Sequence, residues 1–211
     1  MCIRDSIMSY YELWTILSSW RREFTSGEFA RTFSSPNPRK VLHDMAKKGL
    51  LEHLGYGSYR VKSIGDYVRE RNDVSAGYEL LRRAELPYAL TDVDGVFVWT
   101  KGGYNADRFF GFYPIHLKIL KSDVVKWKAF FRKAGRKSFL AGTKPKETIF
   151  GVFYVLYPEE KVETKTVENL KVEPLEKTVE FCRKHIYTFE PALEMLDEEY
   201  RLGVGVKYRK A

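Results

Sequence analysis

Apolar residues recur at helical spacing from Tyr10 through Leu13, Trp14, Leu17 and Trp20 to Phe24, which predicts an amphipathic helix over 10–24. Ser9 stands where an N-cap belongs and Glu12 follows three residues later, the spacing of a capping box. Thr25 or Ser26 caps a second helix, with Glu28 in its first turn and Phe29, Ala30 and Phe33 facing inward. Ser34, Ser35, Pro36, Asn37 and Pro38 stop it. Pro38 suits the first position of a third helix, where a missing N–H leaves no helical bond unmade. Val41, Leu42, Met45 and Leu50 make the buried stripe of that helix, and Gly49 ends it in left-handed backbone. The apolar period then drops to two: Leu51 to Leu54 and Tyr59 to Val61 read as strands closed by the tight turn Gly55-Tyr56-Gly57-Ser58.

Helix, turn, helix and hairpin in this order predict a winged helix-turn-helix over 8–63. Residues 64–76 read as a connector, helical through Ile64, Tyr67 and Val68, and 77–211 as a mixed α/β domain, so the fold class is α+β. In the second part a helix covers Tyr78 to Ala84. "LPYAL", "GVFVWT" and "YPIHLKIL" read as strands, with "TDVDGV" a polar turn. Ser122 or Asp123 caps a helix running to Ala134 and stopped by Gly135, and "SFLAG" and "TIFGVFYVLY" are apolar runs of strand length. Residues 159–171 are charged, irregular or an edge hairpin. Two helices, 174–184 and 191–202, follow, each with an early Pro.

The third helix carries candidate chemistry. Lys40, His43 and Lys47 fall opposite its buried stripe, and Asn37 and Arg39 sit at its N-terminal end, the end that approaches base edges in a recognition helix. Arg can fork onto guanine and Asn can pair twice with adenine. Tyr59 and Arg60 on the hairpin are placed to reach a neighbouring backbone or minor groove. Met8 to Ser63 holds nine Lys/Arg against five Asp/Glu, a net of +4. Asp44 opposes phosphate near this face unless it pairs with Lys40 or Lys48 at helical spacing. A second basic surface lies in 121–137, where seven Lys/Arg, among them Lys126, Lys128, Arg132, Lys133 and Arg136, accompany one Asp. A solvated helix face explains it as well as a second phosphate contact does.

Composition narrows the partners. The 211 residues suffice for two small domains, and 44% hydrophobic with 15% aromatic residues excludes a disordered chain. A net charge of +8 favours a polyanionic partner, here double-stranded DNA. No apolar run approaches about 18 residues, so no membrane span is expected, and charge breaks the apolar start that a secretory signal needs. The first six residues, "MCIRDS", resemble the translation of a transposase sequencing adapter, so the protein is read from near Met8. Cys182 is then a lone cysteine, unable to form a disulfide or metal cluster, which points to a reducing cytoplasm. His43, His53, His116 and His185 lack metal-ligand spacing, and no serine elbow, P-loop or dinucleotide fingerprint is present, so neither enzyme, metal nor cofactor is expected. Asp92 and Asp94 are spaced as a nucleotidyltransferase pair that holds Mg²⁺, but Gly102 and Gly103 follow the pair rather than precede it.

The layout resembles the AbiEi-like regulators, the type IV antitoxin and viral-defence group. Besides the winged helix, "LPYALTDVDGVFVW" (Leu86 to Trp99) is similar to that family's strand-entering segment, which usually has Gly and Ala where this chain has Asp92 and Gly95. "VEPLEKTVEFC" (Val172 to Cys182) is similar to one of its helix starts. The resemblance implies a DNA-binding, autoregulating repressor, and the α/β domain is left to bind a protein partner (toxin-like or a second copy), to sense a ligand or to add a second DNA contact. Two other readings stay open: a winged helix that docks on protein without DNA, and a nucleotidyltransferase-related enzyme using Asp92 and Asp94.

Overall fold

Local caps start the chain's first helices. In the computed structural model, which describes residues 8–106, 108, 109 and 111–204, the Ser9 hydroxyl accepts from the Glu12 N–H at 3.2 Å and the Glu12 carboxylate accepts from the Ser9 N–H at 2.6 Å. This box opens helix α1 (Tyr10–Trp20). The helix stops four residues before Phe24, because Glu23–Thr25 forms a strand, β1. Thr25 and Glu28 repeat the capping box for α2 (Ser26–Thr32), and Asn37 caps α3 (Pro38–Lys47), its side-chain oxygen accepting from the Lys40 N–H at 3.0 Å. Strands β2 (Leu51–Gly55) and β3 (Ser58–Val61) follow, then α4 (Ile64–Arg71). Among the described residues these strands form a three-stranded antiparallel sheet in the order β1-β3-β2, with Phe24 opposite Tyr59 and Leu51 opposite Val61.

The chain divides between Glu70 and Arg71 into two compact units. The core of the first unit joins Leu13 and Leu17 of α1, Phe24, Phe29, Leu42 and Met45, and Leu50, Leu51 and Val61. Leu17, Leu42, Met45 and Leu50 are fully enclosed, so truncating any of them to Ala is a change of about 2–5 kcal/mol. The stretch expected as a connector is ordered: Tyr67 of α4 packs its ring 5.3 Å from that of Trp14.

The second unit is built on a six-stranded mixed sheet among the described residues. Its elements are α5 (Val74–Arg82), β4 (Tyr88–Leu90), α6 (Asp92–Trp99), β5 (Phe112–Leu120), α7 (Val124–Lys133), β6 (Lys137–Leu140), β7 (Gly151–Glu159), β8 (Lys165–Val167), β9 (Leu170–Val172), α8 (Leu175–Lys184) and α9 (Ile186–Tyr200). The strand order is β6-β7-β5-β4-β9-β8, in which β6, β7 and β5 run parallel and β4 turns antiparallel to β5 while lying parallel to β9. Ile115, Leu117 and Ile119 alternate onto one face with Val152, Tyr154 and Leu156, covered by Tyr78 and Leu81 of α5 and Trp127 and Phe131 of α7. Gly77 lets α5 sit this close: a Cβ there would lie 2.6 Å from the Ile115 side chain. A second cluster packs Val93 and Val96 of α6 against Val179, Cys182, Phe189, Leu193 and Leu196 of α8 and α9.

Two segments of the second unit fold otherwise than their sequence suggests. "GVFVWT", expected as a strand after a polar turn, belongs to helix α6, which begins at Asp92. The helix is buried on two sides, with Val98 in the sheet cluster and Val93 and Val96 in the helical one, so its apolar residues show no single helical stripe. The last helix begins at Ile186, five residues before Pro191, which lies within it. No helix among the described residues is long and apolar enough to cross a membrane. The adapter-like first six residues lie outside the described residues.

Candidate nucleic-acid interface

Helix α3 presents one face to the core and one outward. Leu42 and Met45 are fully buried, while Arg39, Lys40, His43 and Lys47 are exposed. Among the described residues, His43 neighbours the Asp44 carboxylate, while Arg39 and Lys47 form no ion pair with a carboxylate. Lys40 does: its ammonium lies 2.6 Å from Asp44 Oδ2, which also accepts the Tyr10 hydroxyl at 2.9 Å. Those two donors, Lys40 first, hold the Asp44 carboxyl below the usual carboxylate range, and Asp44 in turn raises Lys40. Asn37 is exposed at the N-terminal end, with its carboxamide oxygen already engaged as the cap of α3. The helix ends at Gly49, φ +77, where the Leu50 N–H donates back to the Met45 carbonyl at 3.0 Å.

The hairpin residues singled out from sequence are engaged within their own sheet. Arg60 donates to Glu23 at 2.8 Å and to Glu52 at 3.1 Å, and the Glu23 bond above all holds its guanidinium firmly charged. Two carboxylates thus offset the one cation. Tyr59 stacks on Phe24 at 6.1 Å and leans on His53 at 5.0 Å. Sequence reasoning missed this arrangement because β1 is only three residues long, too short for its alternation to stand out from the helical spacing that precedes it.

The second basic surface lies on α7 and the turn after it. Lys126, Lys128, Arg132 and Lys133 are exposed and Arg136 is half-buried. Lys126 bonds Asp123 at 2.7 Å, whereas among the described residues Lys128, Arg132, Lys133 and Arg136 pair with no carboxylate. Trp127 and Phe131 anchor the other side of the helix in the core, so the pattern is that of an amphipathic helix with a cationic outer face.

The Asp92–Asp94 pair is divided by the fold. Asp94 is fully buried: one oxygen accepts from the Tyr78 hydroxyl and from Arg108, each at 2.6 Å, and the other from the His116 N–H at 2.7 Å and faces His116 Nδ1 at 3.0 Å. Burial first, then the Asp94 charge, pushes the Tyr78 phenol far up, so it stays a donor. Arg108 lies over the rings of Phe97 and Tyr78. Asp92 has left-handed backbone, φ +52, and its carboxylate faces Tyr157. Beside it Glu173, also buried, accepts from the Thr91 hydroxyl at 2.8 Å and from Lys118 at 2.6 Å. Among the described residues no group of three His, Cys, Asp or Glu could hold a metal ion. Cys182 is fully buried, and burial pushes its thiol up to about 12. This polar cluster escaped sequence reasoning because its members come from six separate segments.

No family model matches the chain, and comparison with curated proteins finds no significant match.

Proposed function

We propose that the chain is a cytoplasmic, sequence-specific regulator that binds double-stranded DNA through a winged helix-turn-helix in its first unit. The observation that carries this reading is α3. It follows α2 across a five-residue break, buries Leu42 and Met45, and turns Arg39, Lys40, His43 and Lys47 outward. The order α1, β1, α2, α3, β2, β3 and the β1-β3-β2 sheet agree with that module. Arg39, at the N-terminal end, reads base edges; Lys47, near the other end, meets phosphate.

The resemblance to AbiEi-like regulators adds autorepression, and the second unit is the part available to a protein partner, toxin-like or a second copy. Its support is conformational: Asp92, where the family usually has Gly, adopts φ +52, the backbone that glycine favours.

Duplex binding measured across a salt series, with random duplex as competitor, tests the reading. Binding that weakens linearly in log salt and prefers DNA near its own gene supports it. Arg39→Ala relaxes base preference, while Lys47→Ala weakens all duplexes alike and flattens the slope by about 0.9. Absence of binding at low salt refutes it and favours protein docking.

A further inference from the structure

The turn that closes β2 on β3 holds an aromatic ring for which the fold has no use. Gly55, Tyr56 and Gly57 run consecutively at φ +103, +48 and +75. Left-handed backbone suits glycine, tolerates Asn and Asp, and disfavours a bulky side chain. Tyr56 nevertheless stands there with a relative exposure of 109%. The turn is anchored without its ring: the Ser26 N–H donates to the Gly57 carbonyl at 2.8 Å, tying the tip to the start of α2. Strain kept at a fully exposed position points to a role outside the chain.

Charge on the hairpin narrows that role. Between Leu51 and Val61 the residues ionised at every working pH are Glu52 and Arg60, bonded to each other, with Glu23 on the far side of Arg60. The hairpin therefore offers no uncompensated Lys or Arg to a phosphate. Its tip offers one uncharged ring, flanked by glycines that have no side chains to obstruct an approach.

We infer that Tyr56 is a contact residue of the DNA site. Its ring lies against sugar and base surface in the groove beside the one that α3 reads, so the wing binds by an apolar contact rather than an ionic one. The inference rests on the DNA-binding reading of α3. Apolar side chains enter minor grooves in this way, and an uncharged ring releases no counterions. Its contribution is therefore the same at every salt concentration, unlike that of Lys47.

The test is duplex binding by the whole chain across a salt series, comparing the parent with Tyr56→Gly, Tyr56→Phe and Lys47→Ala, together with each thermal midpoint. Tyr56→Gly is expected to lose about tenfold in affinity at every salt, giving a line parallel to the parent's, with a midpoint equal to the parent's or higher. Tyr56→Phe keeps the affinity, and Lys47→Ala changes the slope. A Tyr56→Gly line that coincides with the parent's, or differs from it in slope, overturns the inference. So does equal loss in Tyr56→Phe, or a lowered midpoint in Tyr56→Gly. A parent that binds no duplex overturns the DNA reading and this contact with it, an outcome visible before any variant is compared.

Discussion

Replacing Asp44 with Asn is expected to tighten DNA binding and steepen its salt dependence. Lys40 is held 2.6 Å from Asp44 on the outward face of α3, so in the free protein its charge is compensated, and the carboxylate itself repels phosphate. Asn keeps the side-chain shape and an oxygen for the Tyr10 hydroxyl, now 2.9 Å away, but cannot hold the ammonium by charge. One cation newly meeting one phosphate adds about 0.9 to the slope of log affinity against log salt. If that contact contributes nothing at 1 M, the gain is roughly 8-fold at 0.1 M and roughly 15-fold at 0.05 M. The assay is fluorescence anisotropy of a labelled duplex over that range. A double-mutant cycle isolates the pair: Lys40→Ala should weaken binding in the parent, where it leaves the Asp44 carboxylate uncompensated, and should return Asp44→Asn to about the parent's affinity. An unchanged slope, or weaker binding by a variant whose circular dichroism matches the parent's, refutes the reasoning and removes Lys40 from the interface.

The other predictions concern the architecture. Asp94→Asn leaves the Arg108 guanidinium, 4% exposed, buried against a neutral amide, and should destabilise the second unit by about 3–5 kcal/mol in urea unfolding; a change within about 1 kcal/mol would contradict the burial of this pair. Gly77→Ala drives a methyl to 2.6 Å from the Ile115 side chain and should cost about 1–3 kcal/mol, whereas a neutral result would mean that α5 can retreat from the sheet. In the first unit the carboxyls of Glu12, Glu28, Asp44 and Asp66 are all held below their usual range, by the backbone N–H of Ser9, the backbone N–H of Thr25, the Lys40 ammonium and the Ser63 hydroxyl respectively. A depressed folded-state value means that the stabilisation is present above the ordinary carboxylate range, about 4, and is lost as pH falls through it. The thermal midpoint of this unit should therefore decline below about pH 5; a midpoint that held or rose on acidification would contradict these assignments.

The first unit was the more legible because its signals are local. Ser9 with Glu12, Thr25 with Glu28, Asn37 with Lys40, and Gly49 after α3 are contacts within a few residues, and residue type alone calls for them. The pairing of Asp44 with Lys40 follows the same four-residue rule. The compensation of Arg60 does not, because Glu23 lies 37 residues away and reaches it only once β1 pairs with β3. Candidate cations could thus be named from sequence, but which of them stay uncompensated could not. Nor could the role of Tyr56 be read, since its meaning lies in a backbone angle and full exposure.

In the second unit the sequence by itself determined where chain segments turn apolar, and so the positions of β5, β7 and α7, whose long runs admit few other states. Tertiary structure decided the rest. Whether "GVFVWT" became strand or helix depended on being buried from two sides, which no periodicity within eight residues records. Whether Asp92 and Asp94 acted as a pair depended on Arg108 and His116, 14 and 22 residues beyond Asp94, and the bond from Thr91 to Glu173 spans 82. A residue's type fixes what its side chain can bond. Only the closure of those long loops fixes which partner it meets, because that choice is made by the packing of the whole unit rather than by any segment of it.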